Sequence, residues 1–312
     1  MWSPFDIPVE SFRMAVGARP LDAAPIFLVD ARYSDDLGQK AALLAHDYSY
    51  YVKHTPESLP WQWELIEAQL PELARHYPQH FALEVAGELW TWRNRLRGEE
   101  SRFALGDTAA LGVAPIDWLG RQVQEDLLLL SGDADAGFPL AAGQLCFANH
   151  WCLDDKLGLP LLGIHRPVPG YAEQVGRSTD MLMARLKDGR PVWRQNWSVV
   201  ASAQLDLSAK HSEEMRRRKA LITAENVGTT CFFRVERQSL ARLPRSGAVL
   251  FAIHSYVAPI GDLAADPGWA ARFRTLLEST PPALLAYKGM TVYLPALLAY
   301  LEESSSSSAR TS

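Results

Sequence analysis

Cysteine is scarce in this chain. Three residues, Cys146, Cys152 and Cys231, among 312 cannot build a disulfide framework. They include no CxxC pair for zinc and fall short of the four thiolates that usually ligate an iron–sulfur cluster. Long apolar runs are also missing. No stretch reaches the roughly 18 residues of a membrane helix, because Lys288 and Pro295 interrupt the best one. The first six residues have neither a basic n-region nor an apolar h-region, so the expected location is cytoplasmic. Charge of one sign is lacking too. A formal net charge of -5 argues against a broad nucleic-acid surface. There is no GxGxxG, Walker lysine motif, HExxH or GxSxG. Gly158 and Gly163 have Walker-like spacing, but Ile164 and His165 follow where Lys and Ser or Thr belong. No site for NAD(P)H or ATP is recognisable.

What is present describes a globular protein, 48% hydrophobic and 21% charged, with ten tryptophans. Its length suits one large domain or two intimately packed ones. Helical spacing of apolar residues predicts helices over 33–46, 59–76, 118–130, 171–186 and 268–280, and a proline-led helical tail to Glu303. Strands are expected at 26–29, 145–151, 192–200, 229–237 and 248–257, while 81–97 fits either state. The last three strands follow one another through turns, which favours an antiparallel sheet. The fold class is therefore α+β. The division expected is one domain over 1–303, its helical first 130 residues or so integrated with the sheet, and a disordered serine-rich tail over 304–312.

One histidine stands in a stiff frame. His165 follows an apolar run and precedes Pro167 and Pro169, which fix their own φ and bias Arg166 and Val168 toward extended backbone. A metal ligand needs such aiming, although a lone histidine is more often a hydrogen-bonded core or surface residue. Other polar candidates lie on the late strands: Arg194, Asn196, Arg234, Glu236, Arg237, Gln238, His254 and Tyr256. Arg234 and Glu236 share a strand face and could equally pair with each other. The basic run 210–219 reads as a solvated helix face.

These residues sit within ordered motifs: 16–21 (VGARPL), Gln124 to Leu127 (QEDL), Trp151 with 155–158 (DKLG), 164–169 (IHRPVP), 194–197 (RQNW), 234–238 (RVERQ) and 243–247 (LPRSG). In that order they resemble the haem-dependent oxidative N-demethylase family, from about Val16 to Val257. The resemblance implies haem b in a PAS-like antiparallel sheet. It also implies a monooxygenase whose haem iron activates O2, hydroxylates an N-methyl group of a small methylated amine, and releases formaldehyde as the carbinolamine collapses. His165, inside a matching motif, is the implied iron ligand, and His150 is a second candidate. Arg194 and Arg237 suit the haem propionates, with Asn196 beside them. Glu236 would attract the alkylammonium, and His254 or Tyr256 would donate a hydrogen bond to bound oxygen. His254 stands where relatives are expected to carry Arg or Lys, which alters the charge of that wall. Haem monooxygenation needs two electrons, and no cofactor motif here supplies them. A separate flavin or iron–sulfur reductase is the implied partner, with Arg216 to Lys219 as a docking site. The competing reading is a non-catalytic haem sensor or scaffold subunit, because fold alone does not decide function.

Overall fold

The computed structural model describes residues 3–7, 11–22 and 24–306. Two antiparallel sheets organise them. The larger runs in the order β1-β8-β9-β10-β6-β7-β2, and the smaller is β3-β4-β5. In chain order the strands are β1 Arg19–Pro20, β2 Val52–His54, β3 Phe81–Ala86, β4 Leu89–Asn94, β5 Glu99–Ala104, β6 Asp126–Leu130, β7 Leu140–Gln144, β8 Val192–Val200, β9 Phe232–Arg242 and β10 Val249–Pro259. The class is α+β, as the sequence predicts.

Helix α1, Tyr33–His46, buries Leu37 and Leu44 and places Asp35 and Asp36 in its first turn and His46 in its last, charges that suit the helix dipole. Helix α2, Leu59–His76, starts at a proline-bearing first turn and buries Trp63, Ile66, Leu70 and Leu73, the spacing of one helical stripe. That stripe packs on the small sheet. Trp63 meets Phe103 at 5.8 Å between ring centroids, and Phe81 stacks on Trp92 at 5.2 Å. The ambiguous segment 81–97 is thus a hairpin of β3 and β4.

Helix α1 is pinned to the large sheet by a buried cation. Lys40, 1% exposed, donates to the carbonyls of Gly120 and Val123 at 3.1 Å each, to that of Glu125, and to Gln144 Oε1 at 3.1 Å. Three carbonyl oxygens and an amide oxygen replace the water that the ammonium gives up. Gly120 must be glycine here, since a Cβ would lie 2.2 Å from Gln144 Oε1.

Four expectations are corrected. The helix expected over 118–130 is a short helix α3, Pro115–Gly120, followed by β6. All five β6 residues are buried between β10 and β7, so both faces demand apolar side chains. Four successive leucines satisfy a strand and a helix period alike. The strand expected at 145–151 lies upstream, as β7. The amides of Cys146 and Phe147 donate to the Asp126 carboxylate at 2.8 Å instead of to a ladder. The strand expected at 26–29 does not form: it begins in a bend, and its amides find side chains, Leu28 N donating to Glu125 Oε1 (2.8 Å) and Val29 N to Tyr77 Oη (3.3 Å). The strand expected at 229–237 begins at Phe232 and continues to Arg242. Residues 227–230 form a helical turn whose Thr230 hydroxyl donates to the Asn226 carbonyl at 2.8 Å.

Of the remaining helices, α4 Leu161–His165 was not expected, and Arg166, biased toward extended backbone before Pro167, instead continues it in helical conformation (φ −50°, ψ −36°); α5 Arg177–Arg185, α6 Ser212–Ala220, α7 Pro267–Ser279, α8 Pro282–Tyr287 and α9 Leu294–Ser306 are close to expectation. Of the expected serine tail, Ser304 to Ser306 extend α9, the Ser304 hydroxyl donating to the Tyr300 carbonyl at 2.9 Å. Residues 307–312 lie outside the described residues.

Candidate functional site

The register of β8, β9 and β10 decides which polar residues share a face, because opposed residues in an antiparallel pair point the same way. Asn196 faces Glu236, which faces Ser255; Arg194 faces Gln238. Gln195 faces Arg237, which faces His254, and Trp197, Val235 and Tyr256 follow on that side. The sheet therefore divides the sequence candidates. Arg194, Asn196 and Glu236 lie on one face, while Arg237, His254 and Tyr256 lie on the other.

The first face is covered by the segment that carries His165. Leu161, Ile164 and Leu186 from that segment pack with Val192, Leu240 and Ile253 of the sheet. Six successive residues of β8, Val192 to Trp197, stay half-buried on both faces, since past its two-residue pairing with β1 the strand is a sheet edge. A cleft of about 550 Å³ borders the frame, lined by Pro160, Leu162, His165, Arg166, Pro169 and Tyr171 among others. That volume falls within the usual range for small-molecule sites.

His165 ends α4, and its ring lies flat on Tyr171, at 4.3 Å between centroids and 6° between planes. Nδ1 is 2.9 Å from the Leu161 carbonyl. A carbonyl only accepts, so Nδ1 carries the proton and Nε2 holds the lone pair. Burial lowers the His165 pKa against the pull of that hydrogen bond, with Arg194 adding to the depression. A neutral imidazole, oriented through Nδ1–H and open at Nε2, is the state a metal ligand requires.

Arg194 is largely enclosed, and its Nε is buried without a hydrogen-bond partner among the described residues. Burial lowers its pKa, with Tyr171 and Glu236 acting the other way. A guanidinium left in this condition calls for an anion, and its planar fork matches a carboxylate. Glu236 is held from both sides. Gln238 Nε2 and Asn196 Nδ2 donate to its Oε2 at 3.0 and 3.3 Å, and Arg234 Nε lies 3.6 Å from Oε1. Its side chain keeps 13% exposure, so the carboxylate is positioned yet reachable. Arg234 is fully buried and donates to the carbonyls of Leu205 (2.7 Å) and Phe147. It is an internal clamp. Lys288, which sequence reasoning passed over as a break in an apolar run, reaches the edge of β8 and donates to the Trp197 carbonyl at 2.5 Å. Burial pushes its pKa down to about 8, against the pull of Glu236.

Residues 149–151 form another part of this cover. The Asn149 amide donates to Ser198 Oγ at 3.2 Å. His150 is exposed to solvent.

The opposite face holds a closed charge network. His254, 1% exposed, places Nδ1 2.9 Å from Glu125 Oε1 and Nε2 3.5 Å from Asp30 Oδ2. Its ring stacks on Tyr256 at 4.4 Å. Burial opposes the charge, but Glu125 and Asp30 outweigh it and raise the pKa to about 9. His254 is thus an imidazolium at neutral pH, and the wall expected to carry Arg or Lys keeps its positive charge. Asp30, Asp36 and His254 bring ligand-type atoms within 4.8 Å of one another. A protonated ring facing carboxylates through both nitrogens offers no lone pair to a metal, and Gln124 already bridges the two aspartates at 3.0 and 2.7 Å. Arg237 donates to the carbonyls of Ile26 and Pro25 at 2.9 and 3.0 Å, tying down the N-terminal segment. The basic run is α6, where Arg216 and Arg218 pair with Glu213 and Glu214 at 2.6 Å each.

Of His165, Arg194 and Glu236, only His165 lines the cleft; Arg194 and Glu236 lie on the sheet face that its segment covers. A family model, haem-dependent oxidative N-demethylase, alpha subunit-like, matches residues 17–298. The chain belongs to this family, whose name is that of a haem-dependent oxidoreductase and of one subunit among others. Among the described residues, no helix is long and apolar enough to cross a membrane.

Proposed function

We propose that this chain is the haem-binding subunit of a cytoplasmic monooxygenase that demethylates a small methylated amine. The observation that carries the reading is the half-buried Arg194, its Nε enclosed without a hydrogen-bond partner among the described residues, near a His165 whose Nδ1 is engaged by the Leu161 carbonyl. The residues present fit haem b. His165 would hold the iron and Arg194 a propionate, and Asn196 belongs to the same wall. When bound, haem iron would supply the activation of O2 for hydroxylation of an N-methyl group, with loss of formaldehyde. The chain's own part is to orient and to select. The Leu161 carbonyl keeps the His165 proton on Nδ1, and Tyr171 fixes the ring plane. Glu236 would receive an alkylammonium by charge, while Asn196 and Gln238 hold that carboxylate in one rotamer. His254, Tyr256 and Arg237 support the sheet from behind in this reading. Electrons would come from a separate flavin or iron–sulfur reductase.

The test is a haemin titration of the full chain beside His165→Ala, followed by assay of O2 uptake and formaldehyde with a methylated amine and a reductant. A Soret band saturating at one haem per chain, lost or shifted in the variant, supports the reading. No specific band in the wild type removes it. Haem uptake without amine-dependent O2 consumption would leave the sensor or scaffold reading in its place.

A further inference from the structure

Helix α8 ends in a way that fixes where its next side chain goes. Gly289 takes left-handed backbone at φ 69°, its N–H donates to the Ala286 carbonyl at 2.8 Å, and Met290 N donates to the Leu285 carbonyl at 3.0 Å. These are the two bonds of a Schellman cap, and Leu285 and Met290 are both buried in one core cluster beneath it. Lys288 therefore leaves a rigid helix end. It is half-buried, and its Nζ donates to the Trp197 carbonyl at 2.5 Å and to Asn196 Oδ1 at 3.4 Å, with the Trp197 ring centroid 4.8 Å away. All three partners are neutral. Among the described residues no carboxylate comes within ion-pair distance of this ammonium, and a partly buried cation without an anion is costly.

The acid whose charge reaches Lys288 is Glu236, and one amide stands between them. Asn196 accepts from Lys288 through Oδ1 and donates to Glu236 Oε2 through Nδ2 at 3.3 Å. Gln238 Nε2 donates to the same oxygen at 3.0 Å, which leaves Oε1 the freer one. A carboxylate and an ammonium are thus held apart by the length of an amide. Each can take one more partner, Glu236 on Oε1 and Lys288 through its third N–H. Such a pair complements a molecule whose own ammonium and carboxylate are separated by a single carbon. Arg194 is assigned above to a carboxylate of the cofactor, so Lys288 is the cation left for one on the substrate. We propose that the amine taken here is an N-methyl amino acid, with Glu236 receiving its ammonium and Lys288 its carboxylate. The inference rests on the reading of Glu236 given above and narrows it from small methylated amines to zwitterionic ones.

The experiment compares two probes that differ by one carboxylate, N-methylglycine and dimethylammonium. Their Kd values for the haemin-loaded full chain are measured by calorimetry at pH 7, beside Lys288→Met and Lys288→Arg. The ratio of the two constants cancels any general loosening of the wall, which would weaken both probes alike. The wild type should prefer N-methylglycine, and Lys288→Met should cut that preference about tenfold or more, the loss of a charge-assisted hydrogen bond. Lys288→Arg should keep it. A second arm needs no variant. Burial pushes the Lys288 pKa down to about 8, with Glu236 of β9 pulling it up and Arg194 of β8 adding to the depression. Tyr287 precedes it in the chain, and Lys219 of α6 lies beside Gly289, where a Cβ would come 2.6 Å from its Nζ. Lys288 loses its charge as pH rises through 8, so the wild-type preference should shrink by pH 9 while that of Lys288→Arg persists. A wild type that binds dimethylammonium as tightly as N-methylglycine, or a preference unchanged in Lys288→Met, overturns the role of Lys288 alone. If neither probe binds the wild type, or Glu236→Gln binds both as well as wild type does, the amine site falls and this inference with it.

Discussion

Replacing His254 with glutamine removes a charge that the fold has built around. The imidazolium lies between Glu125 and Asp30 and is 1% exposed, with its pKa raised from 6.5 to about 9. The folded state therefore holds a proton that the unfolded chain releases near its ordinary value. By linkage, that preference is worth about 3 kcal/mol at 1.36 kcal/mol per unit. The sign follows from the direction of the shift. The contribution is complete below about pH 6.5 and declines as pH rises toward 9, because the native state binds more protons there. Urea unfolding of wild type and His254→Gln, run at half-unit steps from pH 6 to 9.5, reads it directly. The stability gap between the two should be widest at pH 6 and narrow by about 3 kcal/mol across the series. A gap that stays constant with pH would show that His254 folds uncharged, and the account of this face would fail.

Four other substitutions test the two faces of the sheet and the buried anchor of α1. Arg194→Ala should weaken haemin binding by roughly tenfold or more, the loss of a charge-assisted pair, whereas Arg237→Ala should leave haemin affinity unchanged and lower unfolding stability by about 1–3 kcal/mol; haemin titration and urea melts check both. Lys40→Met should cost about 3–5 kcal/mol, since it strands three carbonyls and Gln144 without their cation. A loss below about 1 kcal/mol would mean that water replaces the ammonium. Glu236→Gln should raise KM for a cationic amine about 10- to 100-fold, with a smaller effect on kcat, because the interaction removed belongs to binding.

The late part of the fold was legible because its strands alternate cleanly. Val192–Val200 falls within its expected bounds, and both long early helices do too. The phase of each strand was also readable, so Arg194 with Asn196, and His254 with Tyr256, could be placed as pairs sharing a face. Which face looked into the cleft was not readable, since Glu236 and Arg237 are neighbours in sequence and opposites in space. Segments whose backbone groups bond to side chains escaped notice for a different reason. Val29, Cys146 and Phe147 satisfy their amides with Tyr77 and Asp126, partners far away in sequence that local periodicity cannot reveal. Lys288 reaches its place the same way, from a helix end about 90 residues beyond the strand it touches.

The position of β6 has a consequence for how the protein is made. Its four leucines sit between β7, only nine residues further on, and β10, which begins 119 residues after β6 ends, at Val249 against Leu130. At about 5–20 residues per second, a nascent chain shows that second edge to its surroundings for roughly 6 to 24 seconds. An unpaired strand edge of pure leucine is among the more adhesive surfaces a chain can present. Synthesis thus contains an interval in which a chaperone, or another nascent copy, can claim the place that β10 later fills. Slower elongation lengthens this interval, the time Leu127 to Leu130 wait for their second neighbour, and cooler growth weakens the hydrophobic pull across it.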